Sequence, residues 1–474
     1  MKNYDLIIVG GGAGGLTVAA GAASLGAKTA LIDKREDLGG DCLHYGCVPS
    51  KALIEVANEV YQARNVSAYG VHTSGVVDMK AINERIKQSI SHIQEHDSID
   101  RFRDLGIDVF IGGASFQNEH EVELVGGDRL YGKRIVVSTG SRPNVPPIQG
   151  LDQTGYITNE TVFDLDELPK KLVFIGGGPI GLELAQAFAR LGSEVTVLEA
   201  GPAILGKEDQ DVRKKAQEIL EREMKIITHA KVEKTSRDEG QNYVHYSVGN
   251  NSHVVETDQI FLATGRTPNT DTLQLEQAGV SMDKRGFIKV DDTMRTSVSH
   301  IFAVGDVNGS YPFTHIAGHE GKTVVQNAVF GLRRSVSYEN IPWNTYLSPE
   351  VFHLGLTQEE AQNEHGDVMI YQTNLDEVDR YVADHASEGF LKIITTTKGH
   401  IVGAHAIGKG VGDWMQVLIL AVNKGMKVGD LSTMIYPYPN HTAAIEQASN
   451  QYWRNKLFSG VVPKLTKTFI RWFR

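Results

Sequence analysis

Cysteine is almost absent: two of 474 residues. Two thiols cannot build the set of bridges that staples small secreted scaffolds. Basic charge is also short. Lys and Arg number 47 against 58 Asp and Glu, a formal net charge of −11, which gives no reason to expect nucleic-acid binding. Long apolar runs are missing too. Residues 6–27 carry no charge, but seven of those 22 are glycine, so a membrane span is a poor account of them. No basic region precedes them, which argues against a signal peptide. With no leader and so few cysteines, a cytoplasmic location is expected. The seventeen histidines show no cluster with metal-ligand spacing, so no metal is expected.

What is present begins with the placement of those two cysteines. They lie five positions apart in Gly39-Gly40-Asp41-Cys42-Leu43-His44-Tyr45-Gly46-Cys47-Val48-Pro49-Ser50-Lys51. A helical turn between them lets the sulfurs meet, since a bridge needs Cα atoms only about 4.4–6.8 Å apart. A bridge closing so short a loop adds little stability. Thiols kept and grouped in this way point to redox chemistry rather than to core filling.

A nucleotide fold surrounds them. Residues 5–9 read as a buried strand, and Gly10, Gly12 and Gly15 follow in the spacing G-x-G-x-x-G. The first glycine permits a tight turn, the second lets backbone approach a pyrophosphate, and the third lets helix and strand pack closely. A helix over 16–25 offers its N-terminus to phosphate. A second strand over 28–32 ends on Asp33, which can accept hydrogen bonds from a ribose hydroxyl. The pattern then returns. Strand 171–175, Gly176, Gly178 and Gly181, a helix to 191 and strand 194–198 lead to Glu199, at the same offset as Asp33. The duplication predicts two dinucleotide sites. Glu199 favours a free 2′-hydroxyl over a 2′-phosphate, hence NAD(H) over NADP(H). A later echo joins the halves: Thr139-Gly140-Ser141-Arg142-Pro143-Asn144 resembles Thr264-Gly265-Arg266-Thr267-Pro268-Asn269. A strand over 301–304 leads into Gly305-Asp306, an acid placed to reach a polyol chain.

Taken together, these motifs resemble the pyridine nucleotide–disulfide oxidoreductases, flavoproteins that include dihydrolipoyl dehydrogenase, glutathione reductase and mercuric reductase. The likeness spans nearly the whole chain, with every motif in family order. It implies an α/β fold of two Rossmann-like dinucleotide-binding domains plus a C-terminal α+β dimerisation domain. It implies FAD at Gly10, Gly12, Gly15, Asp33 and Asp306, with Lys34, Gly40, Lys51, Thr139, Gly140, Gly265 and Gly305 completing the cofactor contacts. NAD(H) would sit at Gly176, Gly178, Gly181 and Glu199. Electrons would pass between NAD(H), FAD and a Cys42–Cys47 disulfide, with Cys47 against the flavin and Cys42 exchanging with substrate. Lys51 and Glu183 fall on positions that pair beside the flavin. Pro179 stands where glutathione reductase has a gating tyrosine.

The C-terminal region departs from the family. Disulfide-exchanging members carry an acid/base histidine in His-Pro-Thr, with a glutamate five positions on, delivered from the other subunit. Here the stretch is Tyr436-Pro437-Tyr438-Pro439-Asn440-His441-Thr442-Ala443-Ala444-Ile445-Glu446. Matching by spacing puts His441 and Glu446 in the dyad. Matching Pro-Tyr-Pro puts Tyr438 at the histidine and Ala443 at the glutamate, as in the mercuric-reductase-like branch. Both registers stay open. Mercuric reductases also carry a C-terminal cysteine pair, whereas nothing after Cys47 is cysteine, which excludes a cysteine relay for metal.

The expected organisation is an FAD-binding segment at 1–150, an NAD-binding domain at 151–285, an FAD-binding return at 286–343, an interface domain at 344–456 and a tail at 457–474. Strands are expected at 390–395 and 400–407, followed by a helix at 413–423. The tail carries basic residues, no acidic ones and an aromatic end, fitting either an anionic membrane surface or a strap on the dimer partner. The expected activity is dihydrolipoyl dehydrogenase-like, on a small dithiol, disulfide or lipoyl-protein substrate, by a homodimer. The alternative is a mercuric-reductase-like enzyme passing electrons to a quinone, metal ion or protein disulfide. A purely binding flavoprotein would not need an exchangeable disulfide.

Overall fold

The apolar run near the N-terminus becomes the strand Lys2–Val9, whose Ile7 and Ile8 are fully buried. The computed structural model of the protein describes residues 2–458 and 462–473. Lys2–Val9 pairs in parallel with Thr29–Asp33 on one side and Arg129–Val137 on the other. Asp108–Ile111 extends one edge, and Ile301–Ala303 returns from far along the chain to pair with Arg129–Val137. A sheet buried on both faces needs continuous apolar runs, which residues 6–9, 30–32, 135–137 and 301–303 supply. An antiparallel hairpin of Ala114–Phe116 and Glu121–Leu124 completes it. Helix Ala13–Ser24 packs against helix Thr314–Phe330 over this sheet. Their approach depends on Gly21, where a Cβ would lie 2.8 Å from Val325 Cγ2.

The second unit repeats the plan. Lys171–Ile175 and Glu194–Leu198 form over the residues expected, and Lys225–Ile227 and Gln259–Leu262 flank them in a parallel sheet. Helix Pro179–Leu191 follows the glycine turn, with Pro179 in its first turn, where proline's missing N–H costs nothing. Strands Ala230–Asp238, Gln241–Val248 and Asn251–Thr257 form an antiparallel meander beside it.

The third unit is an antiparallel sheet in the order Pro342–Thr345, Glu350–Gly355, Ile401–Gly408, Phe390–Thr396, Val368–Asn374. Helices Gln416–Asn423 and Ala443–Phe458 bury Leu418, Ala444, Ile445 and Ala448 in its core. The single helix expected at 413–423 is two, Val411–Trp414 and Gln416–Asn423. The backbone tightens between them, where Leu418 N–H bonds Met415 O three residues back. Helix Val462–Trp472 ends the described chain, with Leu465, Phe469 and Trp472 exposed. The tail expected at 457–474 lies partly outside the described residues.

Candidate active site

The two glycine turns are built alike. Gly10 has φ +110° and Gly176 φ +111°; a Cβ on them would lie 2.2 Å from Ser138 O and 2.4 Å from Ala263 O. A Cβ on Gly15 or Gly181 would strike the carbonyl of Gly10 or Gly176 at 1.9 and 2.5 Å. Only glycine allows both closures. Asp33 accepts from Gly11 N at 2.6 Å and from Arg35 N at 2.9 Å. Glu199 does the same with Gly177 N and Gly201 N, both at 2.6 Å. Each acid therefore braces its own turn. A carboxylate oxygen has two lone pairs, so both acids can still accept a ribose hydroxyl.

The echo between the halves is a physical clasp. Ser141–Pro143 pairs antiparallel with Arg266–Pro268. Thr139 Oγ1 donates to Asn269 O at 2.8 Å, and Asn269 Nδ2 returns to Thr139 O at 2.9 Å. Thr264 Oγ1 donates to Asn144 O at 2.9 Å. Gly140 and Gly265 take the positive φ these turns need, +66° and +103°.

At the end of Ile301–Ala303, Gly305 and Asp306 enter a short turn held by buried Glu320. Gly305 N, Asn308 Nδ2 and Ser310 Oγ donate to its carboxylate at 2.6, 2.9 and 2.9 Å. Tyr338 OH adds a fourth donor at 2.5 Å. Burial still pushes the Glu320 carboxyl above its ordinary value. Asp306 is likewise raised by burial, against a 2.5 Å bond from Ser141 Oγ. Arg266 binds Ser141 O at 2.9 Å and stands 3.5 Å from Asp306 and 3.3 Å from Asp41. Ser141 and Arg266 stand at matching places in the two echoed turns, but that position did not reveal their role, and Glu320 carries no spacing signal at all.

The redox stretch folds as helix Gly40–His44, a turn, and helix Cys47–Arg64. Cys47 opens the longer helix, where free N–H groups favour a thiolate. Both thiols are free here. Cys42 donates to Cys47, and this bond leads the causes holding the Cys47 thiol at about 6 despite burial. Thr314 and the charge of Lys51 add to it; Cys47 Sγ lies 3.4 Å from Thr314 Oγ1. Cys42 is correspondingly pushed far up, chiefly as the donor in that bond and by burial. One thiolate and one thiol thus share a proton-ordered pair. Lys51 Nζ lies 2.7 Å from Glu183 Oε2 and 4.5 Å from the centroid of the Tyr346 ring. Tyr346 N–H donates to the other Glu183 oxygen at 2.8 Å. Burial works against the Lys51 ammonium, but Glu183 and Cys47 outweigh it and raise its pKa.

These groups line one cleft of about 1140 Å³. That exceeds the roughly 300–1,000 Å³ of ordinary small-ligand pockets. Its walls include Gly10, Gly12, Asp33, Lys34, Gly40, Cys42, Cys47, Lys51, Thr139, Gly140, Glu183, Gly305 and Asp306. A Cβ on Gly12 would meet nothing nearer than Gly40 Cα at 3.9 Å, so the loop is open where a pyrophosphate would lie. The residues fit FAD. Gly178 is equally open, with nothing within 4 Å of a would-be Cβ, and the second turn fits a second dinucleotide.

Family models agree with this geometry. Residues 4–321 match the pyridine nucleotide-disulphide oxidoreductase model, and residues 341–449 match the dimerisation domain of the same family. The chain belongs to this family. Its members are flavin-dependent enzymes that use FAD and NAD(P)H, and the dimerisation domain supports a homodimer. A mercuric reductase from Bacillus cereus is 33% identical over 439 residues, covering 92% of this chain and 69% of that one. A dihydrolipoyl dehydrogenase from Geobacillus stearothermophilus is 33% identical over 446 residues, covering 92% and 93%. Among solved structures, the HOCl-induced flavoprotein disulfide reductase RclA from Escherichia coli is similar at TM-score 0.85 and 28% identity, covering 94% and 99%. Its Cu(II) complex matches at TM-score 0.86 and 28% identity, covering 95% and 100%.

The C-terminal departure takes a definite shape. The spacing register pairs His441 with Glu446, but His441 Nε2 meets Asp384 Oδ2 at 3.1 Å and its ring packs on Tyr381. Glu446 acts instead on Tyr436, whose hydroxyl is pushed up to about 12 mainly by burial and then by that carboxylate. Within the chain, the two residues of the spacing register thus each have another partner. Helix Ala443–Phe458 starts after His441 and carries Glu446 on its first turn. Tyr438, at the histidine position of the other register, is 80% exposed, and its hydroxyl donates to Asp379 at 2.9 Å.

Histidine spacing shows no metal cluster, yet the fold gathers Glu208, His353 and His405. Glu208 comes from the second nucleotide unit and His353 and His405 from two strands of the interface sheet, so no local spacing announces them.

Proposed function

We propose that the chain is an FAD- and NAD(H)-dependent dithiol–disulfide oxidoreductase, moving an electron pair between the nicotinamide and the Cys42–Cys47 pair. The observation that carries this reading is the ordered thiol–thiolate pair in the cleft, with Lys51, four residues along the same helix, paired to Glu183 of another. FAD, held by the Gly10–Gly15 turn, Asp33 and Asp306, supplies the two-electron relay between nicotinamide and disulfide. Reduction of a Cys42–Cys47 bridge by two electrons and one proton leaves one thiol and one thiolate. Cys47 keeps the negative charge, stabilised by Cys42, Thr314 and Lys51. Cys42, once its proton is removed, attacks the substrate disulfide, and Cys47 resolves the mixed disulfide. Glu199 directs the nucleotide choice toward NAD(H).

For the acceptor, the dihydrolipoyl dehydrogenase-like reading needs His441 and Glu446 as the acid/base pair. The placement of Tyr438 and His441 favours the other reading. In it Tyr438 stands at the exchange position and electrons pass to a metal ion, quinone or protein disulfide. The mercuric reductase relatives and the Cu(II) complex of the E. coli neighbour support a metal ion among these. NAD⁺ reduction by dihydrolipoamide separates the two. Fast turnover that collapses in His441→Ala supports the lipoyl reading. No turnover, with the flavin still bleached by NADH, sinks it.

The last helix supports a peripheral contact with an anionic membrane. Val462, Leu465, Phe469 and Trp472 fall on one side and Lys467 and Arg471 on another, all of them exposed. Among the described residues no helix is long and apolar enough to cross a membrane. Deleting 457–474 should abolish co-sedimentation with anionic vesicles; unchanged binding rejects the contact.

A further inference from the structure

The geometry points to a divalent transition-metal site at Glu208, His353 and His405, clasping the second nucleotide unit to the interface sheet. Glu208 lies just before helix Gln210–Leu220 of the nucleotide unit. His353 and His405 are directly paired across strands Glu350–Gly355 and Ile401–Gly408. All three are buried, His405 completely. One ligand atom from each lies within 4.8 Å of the others.

The hydrogen bonds fix where the ring protons sit. His353 Nε2 meets Gly355 O at 2.8 Å, and His405 Nε2 meets Leu356 O at 2.9 Å. A carbonyl only accepts, so each ring carries a proton on Nε2. Without a second proton, each ring offers Nδ1 as a bare lone pair. His353 Nδ1 faces Glu208 Oε2 at 3.2 Å, so two acceptors oppose each other unless a positive species joins them. His405 Nδ1 has no hydrogen-bond partner at all. A proton on His353 would satisfy Glu208 and leave His405 Nδ1 orphaned in the interior, at a cost typical of an unmade buried bond. A metal ion satisfies all three.

The surroundings suit a cation. Ring N–H groups donating to backbone carbonyls are the arrangement that orients metal-bound histidines. Glu208 Oε1 accepts from Trp343 Nε1 at 2.6 Å, and the Trp343 ring stacks on His353 at 3.5 Å, holding both ligands in place. In the same layer Lys392 alone faces two more carboxylates, Asp209 at 2.8 Å and Asp211 at 2.6 Å. Two buried carboxylates, Glu208 and Asp209, against one buried ammonium favour a further cation. Two imidazoles and a carboxylate are a donor set of the Zn²⁺ or Cu²⁺ class. Ligand atoms around tetrahedral Zn²⁺ stand roughly 3.3 Å apart, a spacing that Glu208 and His353 already have.

The test is titration of the FAD-loaded, chelator-stripped Cys42→Ser/Cys47→Ser enzyme with Zn²⁺, which removes the thiols as competing ligands. One equivalent per chain should bind, and Tm should rise with it. His405→Gln and Glu208→Gln should each weaken that binding by at least about tenfold. His300→Gln, on the first sheet, should leave it unchanged. If His405→Gln does not fold, Glu208→Gln and His353→Gln decide on the same readout. No saturable equivalent, or equal affinity in Glu208→Gln, overturns the proposal and leaves an imidazolium–carboxylate pair.

Discussion

Lys51 Nζ stands 2.7 Å from Glu183 Oε2 and so ties the helix that begins at Cys47 to the helix that begins at Pro179. One ion pair joins the redox pair to the second nucleotide turn. The Glu183 side chain is 7% exposed and Lys51 33%. Removing the lysine strands a buried carboxylate, which costs more than removing both charges. Lys51→Met should therefore destabilise the protein by about 2 kcal/mol, the usual figure for a buried pair discounted for the lysine's exposure. Lys51→Met/Glu183→Gln should recover part of that loss in urea melts. A double variant no more stable than Lys51→Met would show that the pair is not coupled.

The reduced protein should show a thiolate titrating near pH 6, because the bond from Cys42 leads the causes that lower the Cys47 pKa. Cys42→Ala removes that donor. The thiolate is the favoured form only while the donor is present, so its midpoint should move upward, toward the ordinary value near 9. Ultraviolet thiolate absorbance against pH reads this directly. A midpoint unmoved in Cys42→Ala would assign the thiolate to Thr314, Lys51 and the helix N-terminus instead.

Gly178→Ala separates the two nucleotide turns. Gly178 has φ −80°, and its would-be Cβ meets nothing within 4 Å, so the variant should fold and keep its flavin. The methyl would stand where the pyrophosphate approaches. KM for NADH should rise by at least about tenfold, the effect of one lost close approach of about 1.4 kcal/mol. Gly176→Ala, whose Cβ would lie 2.4 Å from Ala263 O, should instead unfold the second unit. Equal KM in wild type and Gly178→Ala would place the nucleotide elsewhere.

Arg266→Met tests the clasp around Asp306. The Arg266 side chain is 14% exposed and serves Ser141, Asp306 and Asp41 together. Its loss leaves Asp306 buried without the cation beside it, and burial already raises that carboxyl. Stability should fall by about 2–3 kcal/mol, as for a charge left without its partner. FAD should be lost on gel filtration of the variant. Full flavin retention would mean that Asp306 is held by Ser141 alone.

Much of this architecture could be read from the chain because its signals are local. A glycine at a turn, an acid closing the next strand and two cysteines five apart each act within a few residues. Strands 171–175 and 194–198 formed over the residues expected, since a short apolar run between glycine and polar turns has few other ways to bury itself. Their duplication made the second site as legible as the first.

What only the tertiary structure decided involves groups that no spacing connects. Only the family resemblance linked Lys51 with Glu183; 132 positions separate them, and their meeting depends on how two helices pack. His441 had Glu446 five positions on as its nearest acid in sequence, but the packing of Tyr381 and Asp384 against its ring chose another partner. Glu208, His353 and His405 converge because a loop of one domain lands on the sheet of another. Local chemistry is written in adjacent residues, because backbone turns and helix ends respond to their own side chains. Pairings across domains are set by which apolar faces bury each other, and the polar groups on those faces take whatever partners that burial provides.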